Sequence, residues 1–252
     1  MPIEFSGRTV VVIGATAGIG RATVHAFAAA GANVVFAGLG AAEGRSIEAE
    51  LRGKSTQALF VEADVRSERE VQLVVSRAAE RFGRIHAAVN NAGTEGRFAP
   101  VQETTADDFE QVIGVNLRGV WHGLRAQIPH MLAHGGGAIV NTASSAGVTG
   151  IANIALYTAS KHAIVGLTKA VALELAREHI RVNAVAPGPV DTGLLHRMVQ
   201  GHVPIDAIAQ SVPMGRISRP AEIAEAILWL CSDAASYVTG HTLSVDGGLT
   251  VG

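Results

Sequence analysis

The chain has 252 residues, 22 acidic and 20 basic side chains for a net charge of -2, and 48% hydrophobic against 17% charged residues. That balance provides the apolar matter for one α/β domain covered on both faces, and it excludes the basic footprint of a nucleic-acid or anionic-membrane binder. A small-molecule partner is expected from that charge balance, Cys231 as the one cysteine leaves no internal disulfide or cysteine cluster for a metal, and an amino end with Glu4 and Arg8 around a short apolar stretch, unlike a signal peptide, makes a cytoplasmic location the expectation.

Short Val/Ile/Ala runs alternate with longer helical patterns from end to end, the signature of βαβ units and a parallel sheet. Strands are expected at residues 9–13, 33–37, 57–61, 85–90, 138–142, 181–186 and 242–245, and helices at 20–30, 42–51, 68–82, 106–133, 155–178 and 221–232. Seven strands and six helices make one doubly wound domain spanning residues 1–252. Ser67 followed by Glu70 reads as a capping box for the third helix, and Pro220 sits at the first turn of the last. Residues 135–160 carry no Asp, Glu, Lys or Arg, but their five Gly and scattered Asn, Ser and Thr make them the wall of a site rather than a membrane span. Residues 191–213 break the alternation and are expected to form an irregular lid over substrate.

The first strand runs into Gly14-x-x-x-Gly18-Ile19-Gly20 and then into helix. Glycine lets backbone approach a pyrophosphate, and the N–H groups and positive end of the helix attract it. Further along, Tyr157 and Lys161 stand four residues apart in a helical stretch, with Ser144 at the end of an apolar run upstream. A phenol and an ammonium at this spacing share one helical face. A cation about 4 Å away in an effective dielectric near 20 contributes roughly 4 kcal/mol, enough to bring a phenol from about 10 to near 7. That is the chemistry of a proton donor, and with two Tyr and three Lys in the chain the pairing is not one that composition makes common.

Gly14 to Gly20, Asn90-Asn91-Ala92-Gly93, Asn116, Ser144 with Tyr157 and Lys161, and Pro187-Gly188 with Thr192 come in the order and spacing of the short-chain dehydrogenase/reductase family. The resemblance covers nearly the whole chain. It implies a Rossmann-like fold with strand order 3-2-1-4-5-6-7, and a homotetramer or homodimer. It implies hydride exchange between a nicotinamide cofactor and a secondary alcohol or a ketone or aldehyde, with Tyr157 as proton donor and acceptor. By the same resemblance Lys161 lowers the pKa of Tyr157 and contacts the nicotinamide ribose, Ser144 bonds the substrate oxygen, and Asn116 marks a backbone irregularity inside a long helix that holds a water relaying protons to the lysine. Cofactor contacts carried over in this way are Gly14, Thr16, Gly18, Ile19, Gly20, Gly38, Leu39, Asp64, Val65, Asn90, Ala92, Gly93, Tyr157, Lys161, Pro187, Gly188, Val190 and Thr192.

The chain departs from the family pattern at the second strand. The acid that holds both ribose hydroxyls in NAD-preferring members is replaced by Gly38, and Leu39 and Ala17 stand where NADP-preferring members place a base. A 2′-phosphate without a cation loses more than a neutral ribose does, so NAD is expected over NADP, with Arg45 as the residue that could reverse the preference. Thr94, Glu95, Ala146, Ile151, Ile154, Leu194 and Met198 are candidates for a mostly apolar substrate wall, with His196 and His202 nearby in the lid. Two other readings compete. Ala143-x-Ser145-x-Gly147 is a near miss to a nucleophile elbow, with Asp206 and His241 following in hydrolase order. The same fold also serves non-catalytic nucleotide-binding scaffolds.

Overall fold

A computed structural model describes residues 3–54 and 56–251. Seven parallel strands, β1 (Thr9–Ile13), β2 (Asn33–Gly38), β3 (Ala58–Glu62), β4 (Ala87–Asn90), β5 (Gly137–Thr142), β6 (Ile180–Pro187) and β7 (Thr242–Val245), form one sheet in the order β3-β2-β1-β4-β5-β6-β7. Strand and helix alternate, so every connection crosses over a face of the sheet. The helices are α1 (Gly18–Ala29), α2 (Ala41–Gly53), α3 (Glu68–Phe82), α4 (Ala106–Ile113), α5 (Gly119–Ala133), α6 (Ala155–Leu175), α7 (Gly193–Val199), α8 (Ile205–Ser211) and α9 (Pro220–Cys231).

The two-residue period of β1 sorts the core. Val10 and Val12 join Val24 and Phe27 of α1, Ile47 of α2 and Ile223 and Ile227 of α9 on one face. Val11 and Ile13 join Val71 and Val74 of α3, Leu124 and Met131 of α5 and Ile164 of α6 on the other. Cys231 lies in the first of these clusters, where burial pushes its thiol up to about 12. It is a packing residue.

Three local readings need correction. The single helix expected at 106–133 is α4, a π-helical turn (Gly114–Arg118) and α5. Asn116 lies in that turn, where the family resemblance places a backbone irregularity inside a long helix. The lid segment is not irregular: it contains α7 and α8, each of seven residues and too short to display a period. The box at α3 is half made, since the Ser67 hydroxyl accepts from Glu70 N–H while the Glu70 carboxylate accepts instead from Asp64 N–H at 2.8 Å. Pro220 opens α9 as expected. Among the described residues no helix is long and apolar enough to cross a membrane.

β1 has β2 on one side and β4 on the other, and the chain passes to opposite faces of the sheet on leaving that centre. Beyond the carboxyl ends of the strands at such a point a crevice opens, and ligands of this architecture bind there.

Candidate active site

The crevice is a cavity of about 1430 Å³. Its lining takes in Gly14, Thr16, Ala17, Gly18 and Ile19 after β1, Gly38 and Leu39 after β2, Asp64, Val65 and Arg66 after β3, and Asn91, Ala92, Gly93 and Thr94 after β4. Ser144, Tyr157, Lys161, Pro187, Gly188, Val190 and Thr192 complete it toward the other end. It exceeds the roughly 300–1,000 Å³ of a pocket for one drug-sized ligand, leaving room for a dinucleotide and a second molecule.

At the α1 end, Ala17 provides no side-chain cap and the first turn of α1 carries no acidic residue. An anion there meets helix N–H groups and the positive end of the dipole without a competing carboxylate. Gly14 has φ +82°, and a Cβ on it would fall 2.3 Å from the Ala92 backbone nitrogen. Gly20 lies outside the lining: a Cβ there would sit 2.0 Å from the Gly14 carbonyl oxygen, so this glycine is required by helix-to-turn packing rather than by a ligand. These residues fit the phosphates of a nicotinamide dinucleotide, which the start of α1 would hold.

The adjacent asparagines at the end of β4, Asn90 as its last residue and Asn91 as the next, divide their roles by strand alternation. Asn90 faces inward, exchanging hydrogen bonds with Gln127 and donating to Asn141 Oδ1 at 2.9 Å, and it does not line the cavity. Asn91 does line it: its Nδ2 donates to the Gly14 carbonyl at 2.8 Å and its Oδ1 accepts from the Thr142 hydroxyl at 3.1 Å. Asn91 thus braces the glycine turn against β5, a role the sequence left unmarked beside its twin.

Ser144, Tyr157 and Lys161 converge in one wall. Ser144 follows β5 in extended backbone, φ -171° and ψ 161°; its Oγ accepts from Ala146 N–H at 3.2 Å, and its side chain acts on the Tyr157 hydroxyl, pulling its pKa down. Lys161 Nζ stands 5.5 Å from the Tyr157 ring centroid and donates to the Thr142 carbonyl at 2.9 Å. Gly147 permits this approach, since a Cβ on it would be 2.8 Å from the Lys161 carbonyl oxygen. Asn116 lies in the π turn behind the wall, fully buried. Its Oδ1 accepts from Thr94 N–H at 2.7 Å, and its Nδ2 donates to the Thr94 carbonyl and to Ser160 Oγ, both at 3.0 Å. It ties the loop after β4 to α6 one residue before Lys161.

The electrostatics differ from the expectation of a phenol near 7. Burial pushes the Tyr157 hydroxyl above its ordinary value, the hydrogen bond with Ser144 pulls it down, and the Glu95 carboxylate pushes it up again. Burial also pulls Lys161 down to about 8. The Lys161 ammonium is held by the Thr142 carbonyl and flanks the ring, and burial is the largest influence on the phenol. The site therefore holds a protonated phenol, an acid in waiting.

At the adenosine end the pairings matter. Asp64 is held by Arg66, at 2.6 Å between Oδ2 and a guanidinium nitrogen, and this partner keeps its carboxyl below the usual range. Arg118 pairs with Glu110 at 3.3 Å on the same side, while at the substrate end Arg197 pairs with Glu95 at 2.7 Å. Arg45 does not line the cavity. A Cβ on Gly38 would sit 3.1 Å from Thr16 Oγ1, so the threonine fills the space that a longer residue at the end of β2 would use.

The other competing expectations separate as clearly. Thr94, Ala146, Ile151, Ile154, Leu194 and Met198 line the cavity, whereas Glu95, His196 and His202 do not. Ser145 is buried, but Asp206 and His241 are exposed and lie outside the lining, so no hydrolase triad forms.

A family model described as enoyl-(acyl carrier protein) reductase matches residues 14–250. A 2,5-dichloro-2,5-cyclohexadiene-1,4-diol dehydrogenase of Sphingobium indicum is 39% identical over 249 residues, covering 98% of each chain. The chain belongs to the short-chain dehydrogenase/reductase family. A cis-4-hydroxycyclohexanecarboxylate dehydrogenase of Sinomonas cyclohexanicum is 42% identical over 250 residues, again covering 98% of each. The crystal structure of a 3-ketoacyl-(acyl-carrier-protein) reductase from Brucella melitensis complexed with NADH superposes with a TM-score of 0.92 at 34% identity, covering 98% of this chain and 100% of that one. As a member of the family the chain is an NAD(P)-dependent oxidoreductase that interconverts a secondary alcohol and a carbonyl compound.

Proposed function

We propose that the chain acts as a single catalytic unit in which Tyr157 passes the proton, Ser144 holds the substrate oxygen and Lys161 and Asn116 support them. The convergence of Ser144, Tyr157 and Lys161 in one wall of the cavity headed by α1 carries this reading. Bound there, the nicotinamide dinucleotide supplies or accepts the hydride and, when oxidised, adds a positive charge. In carbonyl reduction negative charge grows on the substrate oxygen. The Ser144 hydroxyl donates a hydrogen bond to that oxygen, and the protonated Tyr157 hydroxyl delivers H⁺. In alcohol oxidation Tyr157 must first lose its proton, and Lys161 is the cation in reach to favour the phenolate. The dinucleotide rests on Gly14, Thr16, Gly18, Ile19, Gly38, Leu39, Asp64, Val65, Ala92, Gly93, Pro187, Gly188, Val190 and Thr192. Gly20 and Asn90 act by shaping the turns beneath it.

NAD is the preferred cofactor in this reading. The cations lining the adenosine side are already matched by carboxylates, and Gly38 and Leu39 offer a 2′-phosphate no partner. The substrate is a hydroxylated or oxidised six-membered carbocycle. Phe98, Ile151, Ile154, Leu194, Met198 and Val203 give its end of the cavity an apolar lining, and both curated relatives are named for ring compounds of this kind. A panel of cyclic, open-chain and sugar alcohols, assayed with NAD and NADP, is expected to give the highest kcat/KM for a cyclohexanol-type alcohol with NAD. Preference for NADP, or for sugars, would overturn the corresponding half of the reading.

Residues 191–213, with α7 and α8, serve as the lid in this proposal. The enzyme is cytoplasmic, in keeping with its lone buried thiol. It is a homotetramer, in keeping with the exposed Phe109, Trp121, Leu132 and Leu173 on α4, α5 and α6. Light scattering that returned the mass of one chain would exclude assembly.

A further inference from the structure

Glu95, in the loop after β4, and Arg197, in α7, are 102 residues apart in sequence and make a two-pronged ion pair. Arg197 Nε donates to Glu95 Oε1 at 2.7 Å, and a terminal guanidinium nitrogen donates to Oε2 at 3.2 Å. The two ends differ in environment: the Glu95 side chain is 14% exposed and that of Arg197 61%. Their apolar neighbours reach the reacting wall, since Phe98 and Met198 both pack against the cluster of Ala146, Ile154 and Tyr157. The His202 ring stacks on Phe98 with centroids 4.4 Å apart, giving a second link between the same two segments.

We propose that Arg197 is a positioning residue with two coupled effects: its fork on Glu95 holds α7 over the substrate end of the cavity and masks the Glu95 carboxylate from the Tyr157 phenol. This rests on the reading of Tyr157 as the proton-transfer group. The charged and titratable groups on the elements around the phenol are Lys161 from α6, Glu95 from the loop after β4, Arg197 from α7 and His202 behind Phe98, and of these Glu95 acts on its ionisation. The carboxylate is felt at the phenol, which it pushes up. A bidentate guanidinium is the partner best suited to cancel a largely buried carboxylate, because its planar donors match both oxygens.

The two members of the pair therefore predict effects of opposite sign. Glu95→Gln removes the negative charge and should ease ionisation of Tyr157, whereas Arg197→Gln unmasks it and should make ionisation harder, each by about half a pH unit. The chain has two tyrosines, and Tyr237 is fully exposed. In a Tyr237→Phe background the near-ultraviolet absorbance of tyrosinate thus reports Tyr157 alone, with no cofactor or substrate present. The expected result is a midpoint lowered in Glu95→Gln and raised in Arg197→Gln. The double variant should follow Glu95→Gln, and Arg197→Lys should fall between wild type and Arg197→Gln. The acidic limb of kcat/KM for alcohol oxidation should move in the same directions, and both single variants should raise KM through the loosened α7. Midpoints that move together or stay fixed while KM rises would reduce the pair to a mechanical tie and overturn the proposal. If Tyr157→Phe kept its turnover, the kinetic limb would lose its meaning and the proton-transfer reading would fall, while the absorbance midpoints would still judge the masking.

Discussion

Replacing Tyr157 by Phe should lower turnover by about a thousandfold while leaving nicotinamide affinity at the wild-type level. The ring is buried and packed beside Ala146, Ile154, Phe98 and Met198, and phenylalanine preserves that packing. What disappears is the hydroxyl that meets Ser144. The cavity's other donors cannot replace it: Lys161 is committed to the Thr142 carbonyl, and the Ser144 hydroxyl is too weak an acid to give up its proton near neutrality. Steady-state rates in both directions, beside a fluorescence titration with reduced cofactor, separate proton transfer from binding. Turnover near wild type would discredit the assignment. A joint loss of rate and affinity would instead mean that the ring had been supporting the cofactor.

Gly20→Ala should damage the protein out of proportion to the one methyl group it adds. Helix propensity alone favours it by about 0.5–1 kcal/mol. Packing reverses the sign, because the added methyl would lie 2.0 Å from the Gly14 carbonyl oxygen, 2.7 Å from Asn91 Nδ2 and 2.9 Å from the Ala15 Cα. Two of these are backbone atoms, so the turn after β1 must shift as a unit, at an expected cost of about 1–3 kcal/mol or more. The shift also breaks the Asn91 brace on Gly14, and dinucleotide affinity should fall with stability. Gly166→Ala is the internal control: it lies in α6, exposed, with nothing within 4 Å of its added Cβ, and should gain about 0.5–1 kcal/mol without touching affinity. Denaturant midpoints and cofactor titrations of the two variants check both signs. A Gly20→Ala protein as stable as wild type would mean the turn is softer than its contacts indicate.

Much of this architecture was legible before any coordinates, for reasons that vary along the chain. The limits of α3 at Glu68–Phe82 and of β7 at Thr242–Val245 coincide with their periodic patterns because turn residues bound them on both sides. The irregularity at Gly114–Arg118 is legible only through the family resemblance at Asn116, since periodicity alone reads as one helix from residue 106 to 133. At Asn90 and Asn91 two identical side chains differ only in the direction imposed by strand alternation, and the motif alone does not say which one meets the cavity. The ion pair between Glu95 and Arg197 joins residues too distant in sequence for any spacing rule. The phenol was misjudged because a four-residue offset on a helix fixes which face two groups share, not the distance between charge and oxygen or the depth of burial.

One feature of the polypeptide path separates what the enzyme does from what it does it to. The stretch carrying α7 and α8 leaves β6 and returns to it through an isolated parallel bridge between Val190 and Ser218, so both of its feet stand on the same spot. Ser144, Tyr157 and Lys161 are anchored elsewhere, on β5 and α6. Residues between the two feet, apart from Arg197 and Met198 whose contacts reach toward Tyr157, can accordingly drift, lengthen or refold over evolutionary time with little disturbance to the sheet. A scaffold organised in this way can be turned toward new molecules by revising a short excursion, while its chemistry is inherited intact.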